Sequence, residues 1–240
     1  MSDKSFVHLH NHSEYSMLDG AARIKQLVAK AAELEMPAIA ITDHGNNHGA
    51  YEFWKQAKAH DINPVIGIEA YLAPGSRKDK TRVRWGDGGG DDVSGGGAYS
   101  HLTMWATNND SMQNLFRLSS EAYLSGYYFK PRMDRELLSK FGKGLIATTG
   151  CPGGEVQTRL RLGQYQEALD TAAEFRDIFG EGNYFVEVMD HGLEIEKRVR
   201  DDLLRLAKDL QLPLVATNDL HYTEKEDSVA HDALLCVQVG

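Results

Sequence analysis

The feature of this sequence that most limits its fold is an alternation of short apolar segments with longer segments of helical periodicity. The short segments predict β-strands at 6–10, 37–42, 63–72, 101–107, 144–149, 184–189 and 213–217. Apolar residues at helical spacing predict helices at 21–35, 48–60, 111–125, 155–162, 164–179 and 193–210, with a last helix from about 224. Strands that alternate with helices predict a mostly parallel sheet in an α/β fold.

The number of strand–helix units bears on the architecture. Seven units without a clear interruption favour an α/β barrel, a single domain over 1–240, because such barrels use about 250 residues. An open doubly wound sheet is the alternative. No G-x-G-x-x-G follows the first predicted strand, so a dinucleotide-binding fold has no support.

One stretch, 74–100, departs from the alternation. It is rich in glycine, aspartate and basic residues, and its composition predicts a flexible loop insertion. We favour a tolerated surface insertion, since loops accept added length at low cost. A flap over a functional site, or a contact for a partner, is the alternative.

Charge and cysteine content exclude some classes of protein. The formal net charge of −9 argues against a non-specific nucleic-acid binder, which usually has a basic surface, but leaves open a local site for a phosphodiester. Cys151 and Cys236 are too few for a disulfide framework. The first residues lack the apolar core of a signal peptide, and no apolar run approaches the roughly 18 residues of a membrane span. We therefore expect a cytoplasmic protein.

Side chains that bind metals recur where the predicted strands end. They are His10 and His12 after the first strand, Asp43 and His44 after the second, Glu69 late in the third, Cys151 after the fifth, and Asp219 and His221 after the seventh. The carboxyl ends of parallel barrel strands share one face, so these side chains are expected to converge. His101 is the exception, because it begins the fourth strand: either that boundary is wrong or that strand is antiparallel.

The types of these residues indicate a metal site. Imidazole, carboxylate and thiolate groups are the ligands of zinc and related ions. A single histidine is more often buried or solvated without a ligand, but so many donors at strand ends are hard to explain in that way. Asp43 has two readings that the sequence leaves open: it orients a ligand histidine, or it caps the following turn.

Six segments of the sequence together resemble a known family. The segments HLHNHSEYSMLDG, AITDHGN, GIEAYL, SHLT, TTGCPGGEV and ATNDLHY resemble the PHP (polymerase and histidinol phosphatase) domain, specifically the branch found at the N-terminus of bacterial replicative polymerase alpha subunits. The resemblance covers nearly the whole chain. It implies a distorted seven-stranded (β/α) barrel, TIM-like, in which the strands need not all be parallel. It also implies that this chain is an N-terminal fragment of a larger polymerase.

The resemblance further implies three divalent ions. The first would be held by His10, His12, Glu69 and Asp219, the second by Glu69, His101 and Cys151, and the third by Asp19, His44 and His221. Catalysis is assigned to Asp19, His12 and Glu69. A thiolate among imidazoles favours zinc, with manganese or iron as alternatives.

These implications lead to an expected function. We expect a metal-dependent phosphoesterase, specifically a 3′–5′ exonuclease that proofreads for a replicative DNA polymerase. Its partners would be the DNA primer 3′ end, the polymerase module of the same chain and replisome subunits. The alternatives are a stand-alone small-molecule phosphatase of the same superfamily and a non-catalytic, metal-stabilised scaffold for the polymerase.

Overall fold

The structure of the chain is a computed structural model that describes residues 6–89 and 92–239. The strands are β1 Ala38–Ile41, β2 Asn63–Leu72, β3 Ser100–Ala106, β4 Arg132–Met133, β5 Leu145–Thr148, β6 Tyr184–Val188 and β7 Leu214–Ala216. The helices are α1 Ile24–Glu33, α2 Ala50–Ala59, α3 Ser94–Gly97, α4 Asn109–Ser125, α5 Arg135–Phe141, α6 Glu155–Arg161, α7 Tyr165–Phe179, α8 Glu194–Asp209 and α9 Ser228–Val239, with a 3₁₀ turn at Lys225–Asp227.

The chain divides into two compact units. One, here the terminal unit, comprises Met1–Ile68 and Thr217–Gly240, and the other, the central unit, comprises Glu69–Ala216. Strand β2 begins in the terminal unit and ends in the central unit. The single domain expected over 1–240 stays a prediction.

The terminal unit is built on the parallel pairing of two strands. β1 lies parallel to the first half of β2, with Ala38 opposite Asn63. Helix α1 buries one apolar face, formed by Ile24, Leu27, Val28 and Ala31. That face repeats at the spacing of three and four residues expected of an amphipathic helix, which is why the sequence predicted it.

The strand predicted at 6–10 is wrong, although its backbone does bond to a strand. The amides of Ala40 and Thr42 donate to the carbonyls of His8 and Asn11, both at 2.9 Å. Between these two hydrogen bonds, the chain advances by three residues from His8 to Asn11 but by only two from Ala40 to Thr42. This mismatch breaks the regular ladder of a strand. On the other side Asn11 forms an isolated bridge with Leu220. Alternating side chains alone do not reveal this irregular register.

The central unit contains both strand directions. β5 and β6 are parallel, as are β6 and β7, whereas β3 runs antiparallel to β5. The beginning of β3 therefore lies at the same edge as the end of β5. This direction accounts for the position of His101 at the start of its strand, which was the second of the two explanations that the sequence allowed.

Besides α3, four residues within the segment 74–100, two elements of the central unit were missed. β4 has only two residues and pairs with the end of β2 through Tyr71 and Arg132. α5 is a helix of seven residues, and the side chain of Asp134 caps it by accepting from the amide of Leu137 at 3.0 Å. Both elements are too short to show a periodicity in sequence.

The segment 74–100 is held by two buried arginines. Arg77 donates to both carboxylate oxygens of Asp134 at 3.0 Å. The guanidinium of Arg132 donates to backbone carbonyls of Arg77, Asp79 and Ala98. Residues 90 and 91 lie outside the described residues, and the predicted flexibility of this segment stays a prediction. No helix within the described residues is long and apolar enough to cross a membrane.

Candidate metal centre

Three of the four donors predicted for the first ion, His10, His12 and Asp219, lie in the terminal unit, where the segments 10–12 and 219–221 meet. The amide of Leu220 donates to the carbonyl of His10 at 3.0 Å, and the amide of His12 donates back to the carbonyl of Leu220 at 2.7 Å. This exchange fixes His10 and His12 beside Asp219, whose φ of 45° lies in the left-handed region that aspartate tolerates. Nε2 of His12 is 3.1 Å and Nε2 of His10 is 3.4 Å from Oδ1 of Asp219. Both histidines are fully buried.

The predicted donors Asp19, His44 and His221 also converge in the terminal unit. Oδ2 of Asp19 lies 2.7 Å from Nε2 of His44 and 3.5 Å from Nε2 of His221. Gly20 permits the tight turn after Asp19, because a Cβ at this position would lie 2.1 Å from the carbonyl oxygen of Ser13. The amide of Ala21 then donates to the carbonyl of His221 at 2.7 Å, which ties the turn to the last of these donors.

The ring stacking and the backbone orient these imidazoles. The ring of His12 stacks against those of His44 and His221, with centroids 4.1 and 4.4 Å away. Nδ1 of His221 lies 2.7 Å from the carbonyl oxygen of Asp219. A carbonyl oxygen only accepts, so the proton of a neutral His221 sits on Nδ1 and the lone pair of Nε2 faces Asp19. The donor atoms of the three rings lie within 4.8 Å of one another.

The pKa values of Asp19 and His221 are shifted by the charged and hydrogen-bonding groups around them. Burial acts to raise the pKa of Asp19, but hydrogen bonds with His221 and His44 outweigh it and hold the pKa well below its usual range. Burial acts to lower the pKa of His221, but its hydrogen bond to Asp19 and the charge of Asp219 raise it above the ordinary value. Asp19 is therefore an anion at neutral pH, as a cation ligand must be.

The predicted donors Glu69, His101 and Cys151 converge in the central unit. Oε1 of Glu69 lies 3.1 Å from Nδ1 of His101 and 3.0 Å from Sγ of Cys151, and those last two atoms are 3.5 Å apart. Glu69 is buried on β2, and Cys151 is buried just after β5. The antiparallel direction of β3 brings His101 to the same edge.

A glycine-rich turn holds Cys151 in place. The amide of Gly154 donates to the carbonyl of Cys151 at 2.8 Å, and the amide of His101 donates to the carbonyl of Gly153 at 3.0 Å. The side chains of Gln157 and Arg161, on α6, donate to the carbonyls of Gly150 and Pro152 at 2.5 Å. The sequence did not predict that either side chain supports this turn: Gln157 was not considered, and Arg161, favoured as part of a solvated helix face, is buried instead.

The separations of these donor atoms suit shared ions. Nitrogen, oxygen and sulfur ligands at about 2.0–2.3 Å from a tetrahedral ion lie about 3.3–3.6 Å from one another. The three distances among Glu69, His101 and Cys151, and those from Asp219 to His10 and His12, are close to this range. The pair of Asp19 and His44 is tighter at 2.7 Å and would have to part by about 0.6 Å to hold one ion.

The nine predicted donors are brought together within the two units. Six lie together in the terminal unit and three in the central unit. The sharing of Glu69 between the first and second ions stays a prediction, as do the roles of all nine as ligands.

Two side chains of the terminal unit that the sequence did not assign lie against these donors. Nε2 of His231, on α9, is 2.8 Å from the carbonyl oxygen of Asp19. The hydroxyl of Ser16 lies within hydrogen-bond distance of His12, His44 and Asp43. Ser16 stands between Asp19 and His12 in the sequence, but a serine in a loop gives no signal of its own. The contacts of Asp43 fall on Ser13 and Ser16, which precede it, so it does not cap the turn that follows.

Solved structures with a similar fold are distant in sequence. One is an amidohydrolase from Chromobacterium violaceum with bound sulfate and no metal, 13% identical, which covers 95% of this chain and 96% of its own at a TM-score of 0.51. Another is a two-domain protein from Bacteroides vulgatus containing a predicted PHP-like metal-dependent phosphoesterase, 16% identical, at a TM-score of 0.51 over 92% of this chain and 53% of its own. The likeness confirms the predicted α/β fold of the PHP type.

Curated relatives are much closer in sequence. The chain is 58% identical to a DNA polymerase III subunit alpha of Saccharopolyspora erythraea over 98% of its length, 57% identical to that of Mycobacterium tuberculosis over 98%, and 44% identical to that of Thermus aquaticus over 99%. It spans about a fifth of the length of these relatives. The PHP domain family matches residues 8–191. With its donor groups and its fold, this match shows that the chain belongs to the PHP domain family.

Proposed function

We propose that this chain is a metal-dependent phosphoesterase that hydrolyses a phosphodiester, and specifically that it is the 3′–5′ exonuclease proofreading domain of a replicative DNA polymerase. One observation carries the proposal: four imidazoles and two carboxylates meet in the terminal unit, where each carboxylate lies 2.7–3.5 Å from two ring nitrogens. The similarity to DNA polymerase III alpha subunits supports the polymerase context.

The donor set suits an anionic substrate. Three divalent ions would add a charge of about +6, of which three carboxylates and a thiolate cancel about four, so the local charge is positive in an acidic chain. Bound ions supply water activation and neutralisation of phosphate charge. Zinc is the proposed metal, because a thiolate stands among imidazoles, and manganese or iron are the alternatives.

The residues of the chain have distinct proposed roles. Asp19, His12 and Glu69 form the proposed catalytic core, in which the ionised carboxylate of Asp19 holds His44 and His221 in register. The lone pair on Nε2 of His221 is directed at Asp19 by the carbonyl behind the ring. These side chains are fixed before any substrate arrives, which lowers the cost of organising a reactive phosphate.

The proposed partners follow from the relatives. They are the DNA primer 3′ end, the polymerase module of the same polypeptide and replisome subunits, in the cytoplasm. The alternatives are a small-molecule phosphatase and a metal-stabilised scaffold without activity.

The test compares two aspartate variants of the terminal unit. Asp19→Asn removes a donor charge, and Asp61→Asn makes the same change at an exposed position with a φ of 54°, which asparagine accepts. We expect Asp19→Asn to slow the trimming of a 3′-mismatched primer by about 100-fold or more, and Asp61→Asn to leave it within about twofold. Wild-type trimming by Asp19→Asn would contradict the mechanism. Hydrolysis of a phosphomonoester alone would favour the phosphatase, and no hydrolysis with metal bound would favour the scaffold.

A further inference from the structure

The hydroxyl of Ser16 is the centre of a buried hydrogen-bond relay in the terminal unit. Its Oγ lies 2.8 Å from Oδ1 of Asp43, 2.9 Å from Nδ1 of His12 and 3.0 Å from the backbone nitrogen of His44. Ser16, Asp43 and His12 are each at most 1% exposed. The relay thus joins an acid outside the predicted ligand set to two residues within it.

Counting protons fixes the direction of each bond. A hydroxyl has one hydrogen to donate and two lone pairs to accept with. The carboxylate of Asp43 can only accept, so the hydrogen of Ser16 points to Asp43. The amide of His44 can only donate and fills one lone pair. The remaining lone pair of Ser16 faces Nδ1 of His12, which must therefore carry a hydrogen.

The tautomer of His12 follows from this count. With its hydrogen on Nδ1, a neutral His12 has a lone pair on Nε2, the atom that lies 3.1 Å from Oδ1 of Asp219. The opposite assignment would turn the hydrogen of Ser16 to His12 and set two acceptors, Oγ and Oδ1 of Asp43, 2.8 Å apart without a proton between them. That arrangement is costly in a buried site.

We propose that Ser16, oriented by Asp43, is a positioning residue that holds His12 in the tautomer that can bind a metal ion through Nε2. The inference rests on the proposed metal centre. The same oxygen also accepts a hydrogen bond from the amide of His44. One hydroxyl therefore orients the ring of His12 and the backbone of His44, two predicted ligands that the resemblance assigns to different ions. Partners of this kind behind a ligand histidine raise its basicity and are worth about 10–100-fold in metal affinity.

Asp43 is itself anchored independently of His12. Its Oδ1 accepts from the amide of Ser13 at 2.7 Å and its Oδ2 from the hydroxyl of Ser13 at 2.8 Å. Ser13 is as buried as Ser16 and bonds to the same carboxylate. Its hydroxyl otherwise accepts from the amide of Tyr15 at 3.1 Å. Ser13 therefore provides a matched control, a buried hydroxyl on Asp43 whose bonds do not include His12 or His44.

The experiment compares Ser16→Ala with Ser13→Ala in this chain. Zn²⁺ affinity is measured by competition with a chelator, and the ¹⁵N chemical shifts of the His12 ring are measured by NMR on the metal-free chain at about pH 8, where an ordinary histidine is neutral. We expect Ser16→Ala to lower the affinity of at least one ion by about 10–100-fold and to move the hydrogen of His12 partly to Nε2. Ser13→Ala should change the affinity by less than about threefold and leave the tautomer unchanged.

Any other result contradicts either the role of Ser16 or the proposed metal centre, and the two measurements distinguish these cases. Equal losses of affinity in both variants would mean that the hydroxyls act through folding alone, and unchanged binding in Ser16→Ala would remove the role of Ser16. A hydrogen on Nε2 of His12 in the unaltered chain would also overturn it. If the unaltered chain bound no Zn²⁺, the proposed function would fail, while the NMR comparison would still decide whether Ser16 sets the tautomer.

Discussion

Sγ of Cys151 lies 3.0 Å from Oε1 of Glu69, although 82 positions of the chain separate the two residues. A neutral thiol is a weak hydrogen-bond donor, but a thiolate and a carboxylate are strong ligands for the same cation. Two such anionic groups in a buried place repel each other, so their proximity is stable when a metal ion between them neutralises the charge.

Replacing this thiol tests the central group of donors. Cys151→Ser should lower the affinity of one ion by about 10-fold or more, because a hydroxyl is a poor substitute for a thiolate. Loading with Co²⁺ should give a thiolate-to-metal absorption band in the unaltered chain and none in Cys151→Ser. Cys236→Ser is the control, since Cys236 is exposed on α9, and it should keep the band. A band that follows Cys236 would refute the assignment.

Metal binding should also stabilise the folded chain. An ion at 100 times its dissociation constant adds about 2.7 kcal/mol to the free energy of unfolding. For a chain of this size each kcal/mol shifts Tm by about 2–4 °C, so saturating Zn²⁺ should raise Tm by about 5–10 °C per ion over the chelated chain. Differential scanning calorimetry with and without a chelator measures this shift. A Tm that does not respond to Zn²⁺ would speak against the proposed centre.

The glycine turn beside His101 allows a test that leaves every donor in place. A Cβ at Gly153 would lie 3.0 Å from Nδ1 of His101, whereas a Cβ at Gly75 would meet no atom within 4 Å. Gly153→Ala should push the imidazole away and lower metal affinity by about 10-fold, while Gly75→Ala should change stability by no more than about 0.5 kcal/mol. Titration with Zn²⁺ compares the two variants. Equal affinities would contradict the prediction that the close packing of Gly153 on the His101 ring supports metal binding.

The buried pair of Arg77 and Asp134 should contribute to stability rather than chemistry. Asp134→Asn keeps a helix cap but removes the buried carboxylate that faces Arg77, and the loss of this buried partner should cost about 3–5 kcal/mol. Glu136 also lies 3.0 Å from Arg77, but its side chain is 71% exposed, so Glu136→Gln should cost less than about 1 kcal/mol. Urea unfolding measures both. Similar losses in the two variants would contradict the assignment of the stability to the buried partner.

The sequence predicted most of the fold because long elements carry a period. α4, α7 and α8 and strands such as β2 appear where apolar spacing placed them. The segment 6–10 has the alternating pattern of a strand, but its hydrogen bonds with the β1 segment do not follow a regular register. The register depends on the partner strand, so the local sequence does not reveal it. Arg132 was missed for a related reason: a charged side chain suggests the surface, whereas this one is buried among carbonyl oxygens.

The candidate site was predictable to a similar extent. Donor residues such as His44 and Asp219 stand out by type and by their place after strands, and the structure groups them as expected. Ser16 and His231 could not be assigned, because their importance lies in what they touch. The position of His101 was explained only when the direction of β3 was known, since the direction of a strand depends on its partners.

The assembly of the terminal unit from both ends of the chain has a consequence for biosynthesis. On the ribosome, Glu69, His101 and Cys151 emerge before Asp219 and His221, so the central donors can gather while His10 and His12 still wait for the segment that bonds to them through Leu220. Metal loading is then expected in a fixed temporal order, with the thiolate-containing group first. A nascent chain that has emerged as far as α6 would already hold the complete central group, whereas the terminal group would still lack Asp219 and His221.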